Sequence, residues 1–78
     1  MSSCNLDHTL EDVKRKLAEQ REFLPPVLAE QVSLFLTEQV NQGTLNEIFH
    51  LLKKYDLSEE AERVSRNVLL SKIIQKPN

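Results

Sequence analysis

Two residues near the start of the chain could bind a soft metal ion. Cys4 and His8 lie four positions apart, a spacing that would place both side chains on one face of a helix. A structural zinc site needs four ligands, however, and His50 is the only other histidine or cysteine in the sequence. The sequence therefore predicts no metal and no other cofactor. We expect residues 1–8 to form a flexible terminal segment that carries a free thiol.

Histidine could also serve as an acid or base near neutral pH. His50 is the only histidine inside a predicted helix, and helical periodicity places it on a polar face beside Lys53 and Lys54. Nucleophilic catalysis needs a nucleophile, a base and an orienting group in one concave site. The sequence shows no such set and no glycine-rich loop for phosphate. It therefore predicts a protein that is not an enzyme.

The balance of charges limits the classes of partner. The 78 residues include 10 basic and 12 acidic side chains in a mixed order, with a net charge of −2. Binding to phosphate backbones calls for a clustered basic surface, which this composition does not favour. No apolar run approaches the roughly 18 residues of a membrane span, and the first residues lack the pattern of a signal peptide. We expect a cytoplasmic protein with no membrane partner.

The small size of the chain favours self-association. The core of so short a domain rarely contributes more than roughly 3–5 kcal/mol to stability. Disulfides, a metal ion or oligomerisation commonly add the remainder, and a single cysteine excludes an internal disulfide. The sequence therefore predicts a homodimer or a higher oligomer.

The breaking and capping residues predict an all-α fold, with one helical domain over residues 9–76. Thr9 and Asp12 form a capping box at the start of the first helix, and Pro26 suits the first position of the second. Gly43 is expected to end the second helix in the left-handed conformation. The predicted bundle contains four short helices, at about residues 9–24, 26–42, 45–56 and 59–75.

The second helix is predicted to lie at the centre of the bundle. Its apolar residues cover an arc of roughly 220° on a helical wheel, which is too wide for one neighbour. We therefore expect helices 2 and 3 to form a central antiparallel pair, with the first and fourth helices packed on either side.

The run "VLLSKII", residues 68–74, breaks the periodicity of the fourth helix. Ala61, Val64 and Val68 lie within about 60° of one another and are expected to face the core. The aliphatic residues that follow point to a separate arc. Three alternatives stay open for residues 68–76: a helix that contacts a second subunit, an irregular tail, or a strand. The predicted partner or dimer interface consists of Leu34, Leu69, Leu70, Ile73 and Ile74.

Two functions remain after this reading. The favoured one is a small non-enzymatic regulatory or adaptor protein that binds itself and another protein. The alternative is a nucleic-acid-binding regulator, because residues 46–67 have the rhythm of a helix-turn-helix. The acidic start of the fourth helix, at Glu59 and Glu60, argues against it. Its candidate contacts with nucleic acid are Lys53, Lys54, Arg63 and Arg66.

Overall fold

The computed structural model describes residues 7–75, and the all-α fold is confirmed within them. Single turns of 3₁₀ helix at Arg21–Phe23 and Tyr55–Leu57 connect some of the longer elements. No strand occurs among the described residues, and the fourth helix continues through the run "VLLSKII". The four α-helices are α1 (Leu10–Gln20), α2 (Pro26–Phe35), α3 (Gln42–Leu52) and α4 (Glu60–Gln75).

The starts of α1 and α2 follow local chemistry as predicted. The Thr9 hydroxyl accepts a hydrogen bond from the Asp12 amide at 3.0 Å, and the Asp12 carboxylate accepts one from the Thr9 amide at 3.3 Å. This capping box satisfies two amides that would otherwise lack partners at the helix start. Pro26 is the first residue of α2, where its missing N–H costs no hydrogen bond.

The predicted boundary between the second and third helices is wrong. Helix α2 ends at Phe35, because Leu36 leaves the helical conformation and is buried in the core. Asn41 caps α3, which begins three residues earlier than predicted, since the Asn41 side chain accepts a hydrogen bond from the Thr44 amide at 2.8 Å. Gly43 therefore lies in the first turn of α3 and does not adopt a positive φ.

The helices pack as a ring around a shared core. Helix α3 packs against α1 and α4, while α2 packs against α4 and α1. The predicted central pairing of α2 with α3 is wrong in this respect, because the early end of α2 and the six residues that follow separate the two helices. Every helix contributes to the core, which consists of Val13, Leu17, Leu24, Leu28, Ala29, Val32, Leu36, Leu45, Ile48, Leu52, Tyr55 and Leu70.

Helix α4 presents the opposite face to the core from the one predicted. Leu70 is fully buried, and Ile73 and Ile74 pack against the core while remaining partly accessible. Val64 and Val68, which were expected to complete the core, are exposed. The larger aliphatic side chains are therefore the ones that α4 buries, which gains more apolar contact than valines would.

Replacing Gly43 with Ala should raise the free energy of unfolding by about 0.5–1 kcal/mol, because glycine is a poor residue within a helix. The added methyl group would meet only Asn41 Oδ1, at an ordinary 3.5 Å. Urea denaturation measures the change. Lys54→Ala is the matched control: Lys54 has a left-handed φ of 58°, so Ala should bring no such gain there. Destabilisation by Gly43→Ala would contradict the helical assignment.

Truncation of Leu70 should test the orientation of α4. Because Leu70 is fully buried, Leu70→Ala should lower the free energy of unfolding by about 2–5 kcal/mol. The exposed Val68 provides the comparison, and Val68→Ala should change stability by no more than about 0.5 kcal/mol. Thermal or chemical denaturation of both variants measures the difference. Equal losses would show that the two faces are assigned incorrectly.

Candidate interaction surfaces

Arg66 of α4 binds the carboxyl end of α3. Its Nη1 donates hydrogen bonds to the carbonyl oxygens of Leu51, at 3.1 Å, and Lys53, at 2.8 Å. Its Nε donates to Glu62 at 3.0 Å. The last carbonyls of a helix lack partners within the helix, and a cation near them is favourable. Arg66 therefore sets the position of α4 relative to α3.

Arg63 organises the turn between the same two helices. Its guanidinium donates to the carbonyl oxygens of Ser58, at 3.1 Å, and Asp56, at 2.8 Å. It also lies over the rings of Tyr55, at 5.4 Å, and Phe23, at 5.9 Å. Hydrogen bonds and cation–π contacts thus direct Arg63 toward the protein.

The fold gives the four candidate nucleic-acid residues two different environments. Lys53 and Lys54 are exposed in the turn after α3. Arg63 and Arg66 direct their guanidinium groups at backbone carbonyls of the turn and of α3. Binding a phosphate with either arginine would break hydrogen bonds that hold α4 in place. The nucleic-acid alternative stays a prediction, and two of its four candidate residues already donate hydrogen bonds within the protein.

Four aliphatic side chains lie on one exposed side of α2 and α4. These two helices run parallel. Phe23, just before α2, lies 5.9 Å from Arg63 near the start of α4, and Leu34 and Gln75 line one groove near the ends of the two helices. We call this surface the outer face. Its members are Val27 and Leu34, each 70% exposed, Val64, 54% exposed, and Val68, 48% exposed.

Helical spacing places these residues side by side. Val27 and Leu34 are seven positions apart on α2, which separates them by only about 20°. Val68 and Gln75 have the same separation on α4, and Gln75 and Leu34 line one small groove. Each stripe also lies opposite its helix's buried residues. The two stripes therefore point to the same side of the protein, with Gln31 and Gln75 lining the groove between the ends of the two helices.

A separate groove of about 420 Å³ lies between α3 and α4. We call it the α3/α4 groove. Leu51, Leu69 and Ile73 give it an apolar surface. Polar side chains complete the lining: Glu47 and His50 from α3, and Lys72 from α4. The groove thus combines aliphatic side chains with one acidic and one basic side chain on opposite helices.

The interface predicted from the sequence divides into two parts around a buried residue. Leu69 and Ile73 line the α3/α4 groove, whereas Leu34 and Ile74 line a groove of about 360 Å³ between the ends of α2 and α4. Leu70 lies in the core and is not accessible to a partner. Leu70 therefore adds nothing to the accessible surface of α4, while the interface predicted for the other four residues stays a prediction.

The segment before α1 is attached to α3. The His8 ring stacks on Phe49, with centroids 3.5 Å apart, and meets His50 edge-on at 5.7 Å. The His8 amide donates to Asn46 Oδ1 at 2.9 Å. Asp7 and His8, two residues of the predicted flexible segment 1–8, therefore contact α3, while residues 1–6, including Cys4, lie outside the described part of the chain. The flexibility of the segment stays a prediction. No group of three or more potential metal ligands occurs within residues 7–75.

Replacing Arg66 with Ala should lower the free energy of unfolding by about 1–3 kcal/mol, because the carbonyls at the end of α3 would lose a charged donor. Chemical denaturation measures the loss. Arg15 is a suitable control, since its ion pair with Asp12 is long, at 3.5 Å, and exposed. Arg15→Ala should change stability by no more than about 0.5 kcal/mol. Similar values for both variants would show that Arg66 does not hold the two helices together.

None of the helices within residues 7–75 has the length and apolar character needed to cross a membrane. Comparison of the chain with protein-family models, with curated proteins and with solved structures gives no match. The function must therefore be inferred from the geometry of the surfaces themselves.

Proposed function

We propose that this chain is a small non-enzymatic regulatory or adaptor protein of the cytoplasm that acts by binding another protein through the outer face. One observation carries the proposal: Val27, Leu34, Val64 and Val68 are exposed together on one side of the parallel helices α2 and α4. Contiguous exposed apolar surface on a small protein commonly marks an interaction site.

The shape of the outer face favours a helical partner. Because α2 and α4 are parallel and packed together, we expect a shallow channel between them, flanked by a stripe of two aliphatic residues on each helix. An amphipathic helix binds such a surface by placing aliphatic side chains at helical spacing into the channel. Covering the face would contribute roughly 25 cal/mol for each Å² of apolar surface removed from water. We therefore propose an amphipathic helix of another protein as the ligand.

The hydrogen bonds of Arg63 and Arg66 favour protein binding over nucleic-acid binding. Arg63 and Arg66 are used to join α3 to α4, so the basic residues most suited to nucleic acid serve the fold. The outer face would instead contribute to binding by removing the exposed surface of its aliphatic residues from water.

Site-specific photo-crosslinking in living cells tests the outer face. A photoreactive residue at Val68 should give a discrete adduct with another protein. The same residue at Leu57 is the matched control, because Leu57 is also an exposed aliphatic but lies in the turn before α4. It should give no such adduct.

Val64→Asp, placed in the chain that carries the photoreactive residue at Val68, should reduce the yield of the adduct at least tenfold. A charged residue in the channel would have to be desolvated on binding. Both valines are exposed, so circular dichroism should show an unchanged helical fold. Equal adducts from Val68 and Leu57, or no adduct from either, would overturn the proposal.

A further inference from the structure

We propose that the α3/α4 groove is the docking site for a second copy of this chain, held by two reciprocal ion pairs between Glu47 and Lys72. The groove lies on the α3 side of α4, apart from the outer face. The proposal therefore does not depend on the function assigned to the outer face, and each can fail without the other.

Glu47 and Lys72 lie at about the same level of the groove. Arg66, near the middle of α4, meets Leu51 and Lys53 at the end of α3. Farther along α4, Lys72 lines the same groove as Glu47, which lies one turn earlier in α3 than Leu51. The two helices therefore run antiparallel, and the acidic and basic residues line opposite sides of the groove.

The ion pairs within residues 7–75 leave Glu47 and Lys72 available to a partner. The four ion pairs in this part of the chain involve neither Glu47 nor Lys72. Both residues are exposed. A partner could therefore bind them without breaking an existing ion pair.

A two-fold axis along the groove would bring the opposite charges of two copies together. Most homodimers have a two-fold axis, so that the same surface on each copy forms the interface. With the axis along the groove, α3 of one copy lies opposite α4 of the other, at the same height. Glu47 of each copy then faces Lys72 of its partner, which produces two ion pairs. The apolar residues also meet, because Leu51 of each copy lies opposite Leu69 of the other.

A second copy fits this surface better than a partner with one dominant charge. A uniformly basic or acidic ligand would match one side of the groove and repel the other, and such a mismatch disfavours the wrong partner. The apolar residues of the groove, Leu51, Leu69 and Ile73, would form the dry centre of the dimer, with the ion pairs beside them.

Charge reversal combined with analytical ultracentrifugation tests the dimer. The unaltered chain should show a monomer–dimer equilibrium below about 1 mM. Glu47→Lys and Lys72→Glu should each weaken dimerisation about tenfold or more, because each creates two like-charge contacts. Both sites are exposed, so circular dichroism should show an unchanged fold.

Combining the two charge reversals, in one chain or by mixing the two variants, tests the pairing of Glu47 with Lys72 directly. The double variant Glu47→Lys/Lys72→Glu should recover the dimer, since each new lysine faces a new glutamate. An equimolar mixture of the two single variants should form a heterodimer, because both of its ion pairs regain opposite charges. Glu38→Lys, an exposed change in the segment between α2 and α3, is the control and should leave dimerisation unchanged.

Three results would overturn the proposal. The first is a chain that remains monomeric up to about 1 mM. The second is a dimer that neither single reversal weakens. The third is a pair of weakened single variants that show no recovery when mixed. A dimer that Val64→Asp weakens, and that the reversals do not, would instead assign self-association to the outer face.

Discussion

The carboxyl end of α3 constrains the rest of the structure, because its last carbonyl oxygens need hydrogen-bond donors. Arg66 supplies them for Leu51 and Lys53, and Arg63 does the same for the turn that follows. Both arginines reach their acceptors only if one face of α4 turns inward. The Tyr55 hydroxyl strengthens this orientation by donating to Asn67 Oδ1 at 2.7 Å. The rotation of α4 about its axis is thereby set by polar contacts as well as by apolar burial.

Every candidate surface follows from this rotation. Leu70, which shares the inward face with Arg63 and Arg66, enters the core. Val64 and Val68 are turned outward, where they join Val27 and Leu34 of α2. The aliphatic residues on either side of Leu70 lie at the edges of the core and line two grooves. The protein thus presents two surfaces on different sides of α4. One is the aliphatic outer face, and the other is the α3/α4 groove, whose apolar lining is flanked by charged side chains.

Sequence reasoning succeeded where the controlling interactions are local. The capping box of Thr9 and Asp12 and the position of Pro26 depend on residues a few positions apart, so they could be predicted. The position of Gly43 inside α3 could not be predicted from the sequence. It follows from the early end of α2, where Leu36 leaves the helix and packs against core residues that are distant in the sequence. Of the residues predicted for the interface, Leu34 and Leu69 are accessible and Leu70 is buried, while the interface itself stays a prediction. The hydrogen bonds of Arg63 and Arg66 to backbone carbonyls could not be predicted, because the inward path of long polar side chains leaves no signal in apolar periodicity.

The sequence by itself determined the helical class of the fold, the starts of the first two helices and the presence of more aliphatic residues than one stripe of α4 can bury. Those features depend on backbone propensity, capping and composition, which act over a few residues. Only the tertiary structure decided which face of α4 is buried and that Glu47 and Lys72 lie across one groove. The physical reason is that Arg66 binds the free carbonyl oxygens of Leu51 and Lys53, which come close to it only when α3 and α4 pack together. These residues are far from Arg66 in the sequence, so no local pattern predicts the contact.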